Sequence, residues 1–213
     1  MTKVKLCGLF RDEDIGYVNI IKPDYTGFVF WDKSRRNLTK EKAREFKEKI
    51  DTDIKVAGVF VDADINFVTD LYKEKIIDYA QLHGAEDDEY INELRAVAKG
   101  IVIVKSFMTD DESIKKASVS VADYIIFDPG KGDGMTFEWE RLKGFKRDYF
   151  LAGGLNSDNV RKAIVTLDPY AVDVSSGIET EGKKDEGKMA AFMAAVRKQD
   201  KELNSKYRSD IYD

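Results

Sequence analysis

The chain is poor in cysteine, histidine and proline: its 213 residues include one, one and three of them. A single cysteine excludes an internal disulfide and suits a reducing compartment, so a cytoplasmic location is expected. With one histidine, a hydrolytic triad would depend on His83 alone, and no nucleophile motif accompanies it. A lone histidine at a strand end reads first as a packing or supporting group. No cluster carries metal-ligand spacing, so no metal is expected. No apolar run approaches the ~20 residues of a membrane span, and Met1-Thr2-Lys3-Val4 lacks the apolar core of a signal peptide, so no membrane partner is expected. Basic residues are outnumbered, 35 against 40 acidic, for a net charge of −5. That balance argues against nucleic acid as a partner, since nucleic-acid proteins show a basic stripe. An anionic small molecule stays open, because a local pocket can be positive on an acidic protein.

What is present is alternation. Eight short β-branched or aromatic runs occur: Val4–Leu6, Gly27–Trp31, Lys55–Val61, Tyr79–Leu82, Ile101–Lys105, Tyr124–Phe127, Tyr149–Ala152 and Ala171–Val174. Their starts fall roughly 20 to 30 residues apart, the size of one strand-helix unit. Gly27-Phe28-Val29-Phe30-Trp31 and Tyr124-Ile125-Ile126-Phe127 are apolar on both parities, which marks strands covered on both faces and hence a parallel sheet. Charged stretches between them read as helices. Arg11-Asp12-Glu13-Asp14 looks like a helix start. Thr39 to Ile50 places Ala43, Phe46 and Ile50 at helical spacing. Asp87 to Lys99 places Tyr90, Leu94, Val97 and Ala98 on one face. Asn156 to Thr166 opens on Ser157 and Asp158, and Asp185 to about Lys198 carries Met189, Phe192, Met193 and Val196 on one stripe. Asp110 to Ser120 reads as a short or irregular helix. No Ser/Gly-rich linker divides the chain. The expectation is therefore a single-domain α/β fold, a (β/α)₈ TIM barrel over residues 1–200, with 201–213 a charged helix end or tail. An open doubly wound sheet is the alternative, since alternation alone does not show closure.

In either fold, chemistry collects where parallel strands end. The residues there are Cys7-Gly8, Asp32 to Arg36, Asp62, Gln81 to Gly84, Ser106-Phe107, Asp128, Gly153 to Asn156 and Ser175 to Gly177. Cys7 has two readings: a small buried apolar residue, or an activated thiol at the mouth of the fold. Leu151-Ala152-Gly153-Gly154-Leu155-Asn156 is strand, glycine turn, helix. Val174-Ser175-Ser176-Gly177-Ile178 is strand, small polar turn, short helix. Glycines let a backbone approach a ligand, and free N–H groups at helix starts attract phosphate. Two ordinary tight turns would look the same. The run Asp128 to Thr136 lacks a Gly-Lys-Ser/Thr ending and the third glycine of the dinucleotide fingerprint, so it reads as a glycine loop able to close over a ligand.

Read together, these strand ends resemble the phosphoribosylanthranilate isomerase family of tryptophan biosynthesis. Carrying the resemblance are Lys5-Leu6-Cys7-Gly8, Gly27-Phe28-Val29-Phe30 with Ser34-Arg35-Arg36, and Gly58-Val59-Phe60-Val61. They continue with Gln81-Leu82-His83-Gly84, Gly134-Met135-Thr136-Phe137-Glu138-Trp139, Leu151 to Asn156 and Val172 to Glu179. The chain departs from the family pattern around Asn19 to Asp24, at Asp128-Pro129 and at Met135. The resemblance implies a (β/α)₈ barrel. It would convert N-(5-phosphoribosyl)anthranilate to 1-(2-carboxyphenylamino)-1-deoxyribulose 5-phosphate by an Amadori rearrangement that needs no cofactor. It implies Cys7 as general base and Asp128 as general acid. Arg36, with Arg35 beside it, would hold the anthranilate carboxylate, and Gly153, Gly154, Ser175 and Ser176 the phosphate. An acid at neutral pH needs a raised pKa at Asp128, and a base needs positive surroundings at Cys7. Strand alternation puts Lys3, Lys5 and Cys7 on one parity. If that face is inward, Lys5 needs a buried carboxylate, for which Asp173 on the neighbouring strand is the candidate and a further substrate-binding residue. A phosphorylated small molecule is the expected partner, and a monomer the expected state, with a homodimer left open.

Three rivals remain at this point: a barrel that binds a sugar phosphate without turnover, the related histidine-pathway isomerase, and a flavodoxin-like binder. The histidine-pathway family carries an aspartate where this chain has Cys7. Eight strand candidates exceed what a flavodoxin-like sheet needs.

Overall fold

A computed structural model describes residues 1–129 and 139–212. Eight parallel strands form a closed barrel in chain order: β1 (Lys3–Cys7), β2 (Tyr25–Phe30), β3 (Lys55–Phe60), β4 (Tyr79–Leu82), β5 (Val102–Phe107), β6 (Tyr124–Phe127), β7 (Tyr149–Leu151) and β8 (Ala171–Val174). Closure comes from β1 pairing with both β2 and β8, with Lys5 opposite Tyr25 on one side and Asp173 on the other. The open-sheet alternative is thereby excluded.

Helices α1 (Asp12–Ile21), α2 (Lys40–Lys49), α3 (Ile65–Lys73), α4 (Asp88–Val97), α5 (Asp111–Val119), α6 (Val160–Leu167) and α7 (Glu186–Tyr212) cover the barrel, with a 3₁₀ turn at Trp139–Leu142 after β6. Helices α2 to α5 begin from a recurring cap. Thr39, Asp64, Asp87 and Asp110 each accept a hydrogen bond from a backbone N–H in the first turn of the helix that follows. Such caps contribute about 1 kcal/mol each.

The alternation of each strand sorts its side chains into two cores. Val4, Leu6, Phe28, Phe60, Leu82 and Phe127 point outward and bury fully or nearly so against the helices. Tyr25, Val104, Ile126, Phe150 and Ala171 fill the lower barrel interior, where Tyr25 and Tyr170 share a hydroxyl hydrogen bond of 2.9 Å. Burying each large apolar side chain stabilises the fold by roughly 1.5–3 kcal/mol.

Two helical expectations change, on α4 and after β7, and two resolve to one of their alternatives. Of the two forms expected for Asp110 to Ser120, the short regular one is observed: Asp111–Val119 is an α-helix that Asp110 caps through both the Ser113 N–H and hydroxyl, at 2.9 and 2.7 Å. On α4 the buried face runs through Ile91 and Leu94, while Val97 is 47% exposed, so the stripe is rotated from the expected one. The helix after β7 starts at Val160, not at Asn156. There the Asn156 carboxamide accepts the N–H groups of Asp158 and Asn159, which turns the chain before helix can form. The last helix runs on to Tyr212, so of the two forms expected from Lys201 onward the helix end is the one observed. Ile65–Lys73, a segment without a sequence expectation, is also helical. Among the described residues, no helix is long and apolar enough to cross a membrane.

Candidate active site

At the C-terminal end of the barrel, a cavity of about 190 Å³ opens between β4, β6, β7 and β8. Of the residues expected to form a site, Asp128, Gly153, Gly154, Asp173, Ser175 and Ser176 line it, together with His83. Cys7 and Arg36 are not on its wall but lie next to it. A Cβ on Gly8 would stand 2.5 Å from Arg36 Cδ and 3.1 Å from Ser175 Oγ, so these two side chains flank the residue after Cys7. Gly8 itself has φ +78°, a conformation that favours glycine.

Beneath the cavity floor, Lys5 Nζ donates to Asp173 Oδ2 at 3.0 Å, and both side chains are almost wholly buried. Gly27 makes room for this arrangement. A Cβ there would meet Cys7 Sγ at 2.6 Å and Lys5 Nζ at 3.3 Å. The three buried groups set one another's charge. Burial works against the Lys5 cation, but Asp173 and Cys7 outweigh it and its pKa rises. Burial pushes the Cys7 thiol up, while the Lys5 charge pulls it back. Burial likewise raises Asp173 despite Lys5. Asp173 Oδ1 is buried without a hydrogen-bond partner, on a residue that lines the cavity.

His83 Nε2 lies 3.7 Å from Asp128 Oδ2, and its Nδ1 lies 3.3 Å from the Gln81 carboxamide. Burial lowers the His83 pKa, more than the Asp128 charge raises it, so the ring stands neutral at pH 7. The Gly84 backbone behind it is fixed by Glu86, which accepts the N–H groups of Asp62 and Gly84 at 2.8 Å each and pairs with buried Lys105 at 3.0 Å.

The turns after β7 and β8 touch. Gly153 and Gly154 have φ +85° and +64°. A Cβ on Gly177 would collide with the Leu155 carbonyl oxygen, so only glycine lets these two turns close on each other.

Arg36 is held by Glu179: its Nε donates to Oε1 at 2.7 Å and its Nη2 to Oε2 at 2.9 Å. Arg35 Nη2 reaches the same Oε2 at 2.5 Å, and Lys184 Nζ reaches Oε1 at 2.8 Å. Lys184 also donates to the Ser175 carbonyl at 2.9 Å. Glu179 and Lys184 sit on the paired two-residue strands β9 (Glu179–Thr180) and β10 (Lys183–Lys184). Burial works against the Glu179 charge, but hydrogen bonds from Arg36 and Lys184 outweigh it and lower its pKa.

The sequence profile described as N-(5'phosphoribosyl)anthranilate (PRA) isomerase matches residues 4–195. The chain belongs to the PRA isomerase family. An N-(5'-phosphoribosyl)anthranilate isomerase from Endomicrobium trichonymphae is 42% identical over 202 residues, covering 92% of this chain and 99% of that protein. The crystal structure of phosphoribosyl anthranilate isomerase from Thermotoga maritima superposes with a TM-score of 0.84 at 32% identity, over 92% of this chain and 99% of that one. A similar match, with a TM-score of 0.81 at 32% identity over the same shares, is a phosphoribosyl anthranilate isomerase in complex with reduced 1-(o-carboxyphenylamino)-1-deoxyribulose 5-phosphate.

Within this PRA isomerase fold, sequence reading assigned no role to Glu179 or Lys184. Glu179 closes the strand-8 motif Val172 to Glu179, and an acid at the end of a small polar turn is its available signal. Lys184 had none, because a buried lysine and a surface lysine look alike in a charged run. The glycine loop from Gly130 and the motif segment Gly134 to Glu138 lie outside the described residues. Among the described residues, no group of three or more His, Cys, Asp or Glu side chains is placed to hold a metal ion.

Proposed function

We propose that this chain isomerises N-(5-phosphoribosyl)anthranilate to 1-(2-carboxyphenylamino)-1-deoxyribulose 5-phosphate, with Cys7 as general base and Asp128 as general acid. The observation that carries the reading is the convergence of Asp128, Asp173 and the turns after β7 and β8 on one cavity, with Cys7 and Arg36 beside it. A relative of the same fold binds the reduced product analogue.

The carboxyl of Asp128 gives its proton to the ribose ring oxygen. The C1–O bond breaks, and the anilino nitrogen lone pair forms a Schiff-base cation. The Cys7 thiolate then takes the C2 proton, and the C2–H electron pair neutralises the cation to an enolamine. Tautomerisation of the enolamine to the aminoketone completes an isomerisation with no net change in composition. Burial keeps the resting Cys7 thiol high, so Lys5 and the substrate's own cation supply the positive field that makes it a base. Asp173 Oδ1, buried and unpartnered in the protein, is suited to accept a sugar hydroxyl. Gly153, Gly154, Ser175 and Ser176 take the phosphate, and Arg36 takes the anthranilate carboxylate.

The histidine-pathway rearrangement is the second reading, and Cys7 at the strand-1 end weighs against it. The test is to add purified protein to freshly formed phosphoribosylanthranilate and follow its fluorescence. Loss well above the spontaneous rate, with the aminoketone as product, supports the proposal. Turnover of the histidine-pathway aminoaldose instead would overturn it.

A further inference from the structure

A guanidinium offers a carboxylate two forked edges: the side edge, Nε with Nη2, and the end edge, Nη1 with Nη2. Glu179 occupies the side edge of Arg36 with both oxygens, at 2.7 and 2.9 Å. Among the described residues, nothing accepts a hydrogen bond from Arg36 Nη1. The side chain of Arg36 is only 19% exposed and that of Glu179 4%, so the pair is a built feature and not a surface contact. Buried Lys184 donates to the same Glu179 oxygen, Oε1, that accepts from Arg36 Nε, and ties it to the Ser175 backbone carbonyl. Glu179 thus joins the arginine after β2 to the turn after β8, the two strands that flank β1.

We propose that Glu179 is a positioning residue that sets substrate selectivity: by filling the side edge of Arg36, it presents the end edge alone to an aryl carboxylate on the substrate. Lys184 supplies the second buried cation that keeps Glu179 ionised and in place between the two arginines. This rests on the reading of the chain as a PRA isomerase. Without Glu179, the Arg36 guanidinium keeps its charge but loses its fixed direction. An ordered fork would then become a loose cation, and the carboxylate contact would lose its bidentate geometry.

The experiment compares phosphoribosylanthranilate with phosphoribosylaniline, which lacks the carboxylate, for wild type, Glu179→Gln and Glu179→Asp. Glutamine keeps an oxygen for Lys184. Aspartate keeps the charge but withdraws it by one methylene. In both variants the preference for the carboxylate-bearing substrate is expected to fall about tenfold, chiefly through a higher KM for it and with little change in kcat. In an Arg36→Ala background, Glu179→Gln is expected to add no further loss of preference. Equal losses on both substrates, or a fall in kcat with the preference intact, would show a merely structural Glu179 and overturn the inference. Wild-type protein inert toward both substrates would instead overturn the isomerase reading itself.

Discussion

Lys5 Nζ stands 3.0 Å from Asp173 Oδ2, across the β1–β8 seam that closes the barrel, and water reaches neither side chain appreciably. A buried pair of this kind is expensive to break from one side. Asp173→Asn strands the Lys5 cation and is expected to cost roughly 3–5 kcal/mol in denaturant unfolding. Lys5→Met costs less near pH 5, because the buried Asp173 carboxyl can take up a proton. Its folded pKa then lies further above the unfolded value. That stabilising proton is present at low pH and lost as pH rises through the folded pKa, so the Lys5→Met deficit should grow from pH 4 to pH 8. A deficit independent of pH would mean that Asp173 does not titrate in the variant.

The raised pKa of Cys7 has a kinetic consequence. If its thiolate is the base, the active fraction of the free enzyme grows with pH, and kcat/KM is expected to climb between pH 7 and pH 9. Lys5→Met removes the nearest positive charge and should move that limb to higher pH. A profile flat across this range in both proteins would remove the thiolate from the free enzyme's titration.

Gly153 holds φ +85°, and a Cβ there would run into the Pro129 ring, immediately after Asp128. Gly153→Ala therefore strains the turn and displaces the neighbouring acid. The expected result is a higher KM and a lower kcat together, with a stability loss on the order of 1–3 kcal/mol. Unchanged kinetics would argue that this turn touches neither phosphate nor Asp128.

His83 is held neutral by burial, its pKa below the ordinary 6.5. The unfolded chain binds that proton more readily, so the stability contributed by neutral His83 is complete above about pH 6.5 and drains away as pH falls toward the lowered value. His83→Asn should flatten the part of the stability curve between pH 7 and pH 5 that belongs to this ring. An unchanged slope would place the acid sensitivity elsewhere.

Much of this arrangement was legible in the chain because it follows from periodicity. Tyr124–Phe127 and Ala171–Val174 fall where their apolar runs place them, since strands buried on both faces leave little choice of register. The inward parity of Lys3, Lys5 and Cys7 led to the Lys5–Asp173 pair, because closing a barrel brings first and last strands together. Weakly patterned segments were harder to read. In α5 only Ala117 is fully buried, so its helical character rests on the Asp110 cap and not on a stripe. The grip of Glu179 on Arg36 spans 143 residues of sequence and depends on a two-residue hairpin no local pattern marks. Long-range ion pairs between short elements leave no period for a sequence reader to find.

The measurement that bears most directly on the central claim sets turnover beside binding in Cys7→Ala, Cys7→Ser and Asp128→Asn. Each is assayed by fluorescence loss of phosphoribosylanthranilate and by calorimetry with a reduced product analogue. Loss of a general base or acid is expected to lower kcat by about 10²–10⁴-fold, with affinity for the analogue close to that of the wild type. Near-full rates in both Cys7 variants would contradict the assignment of the thiol, however well the fold agrees with it.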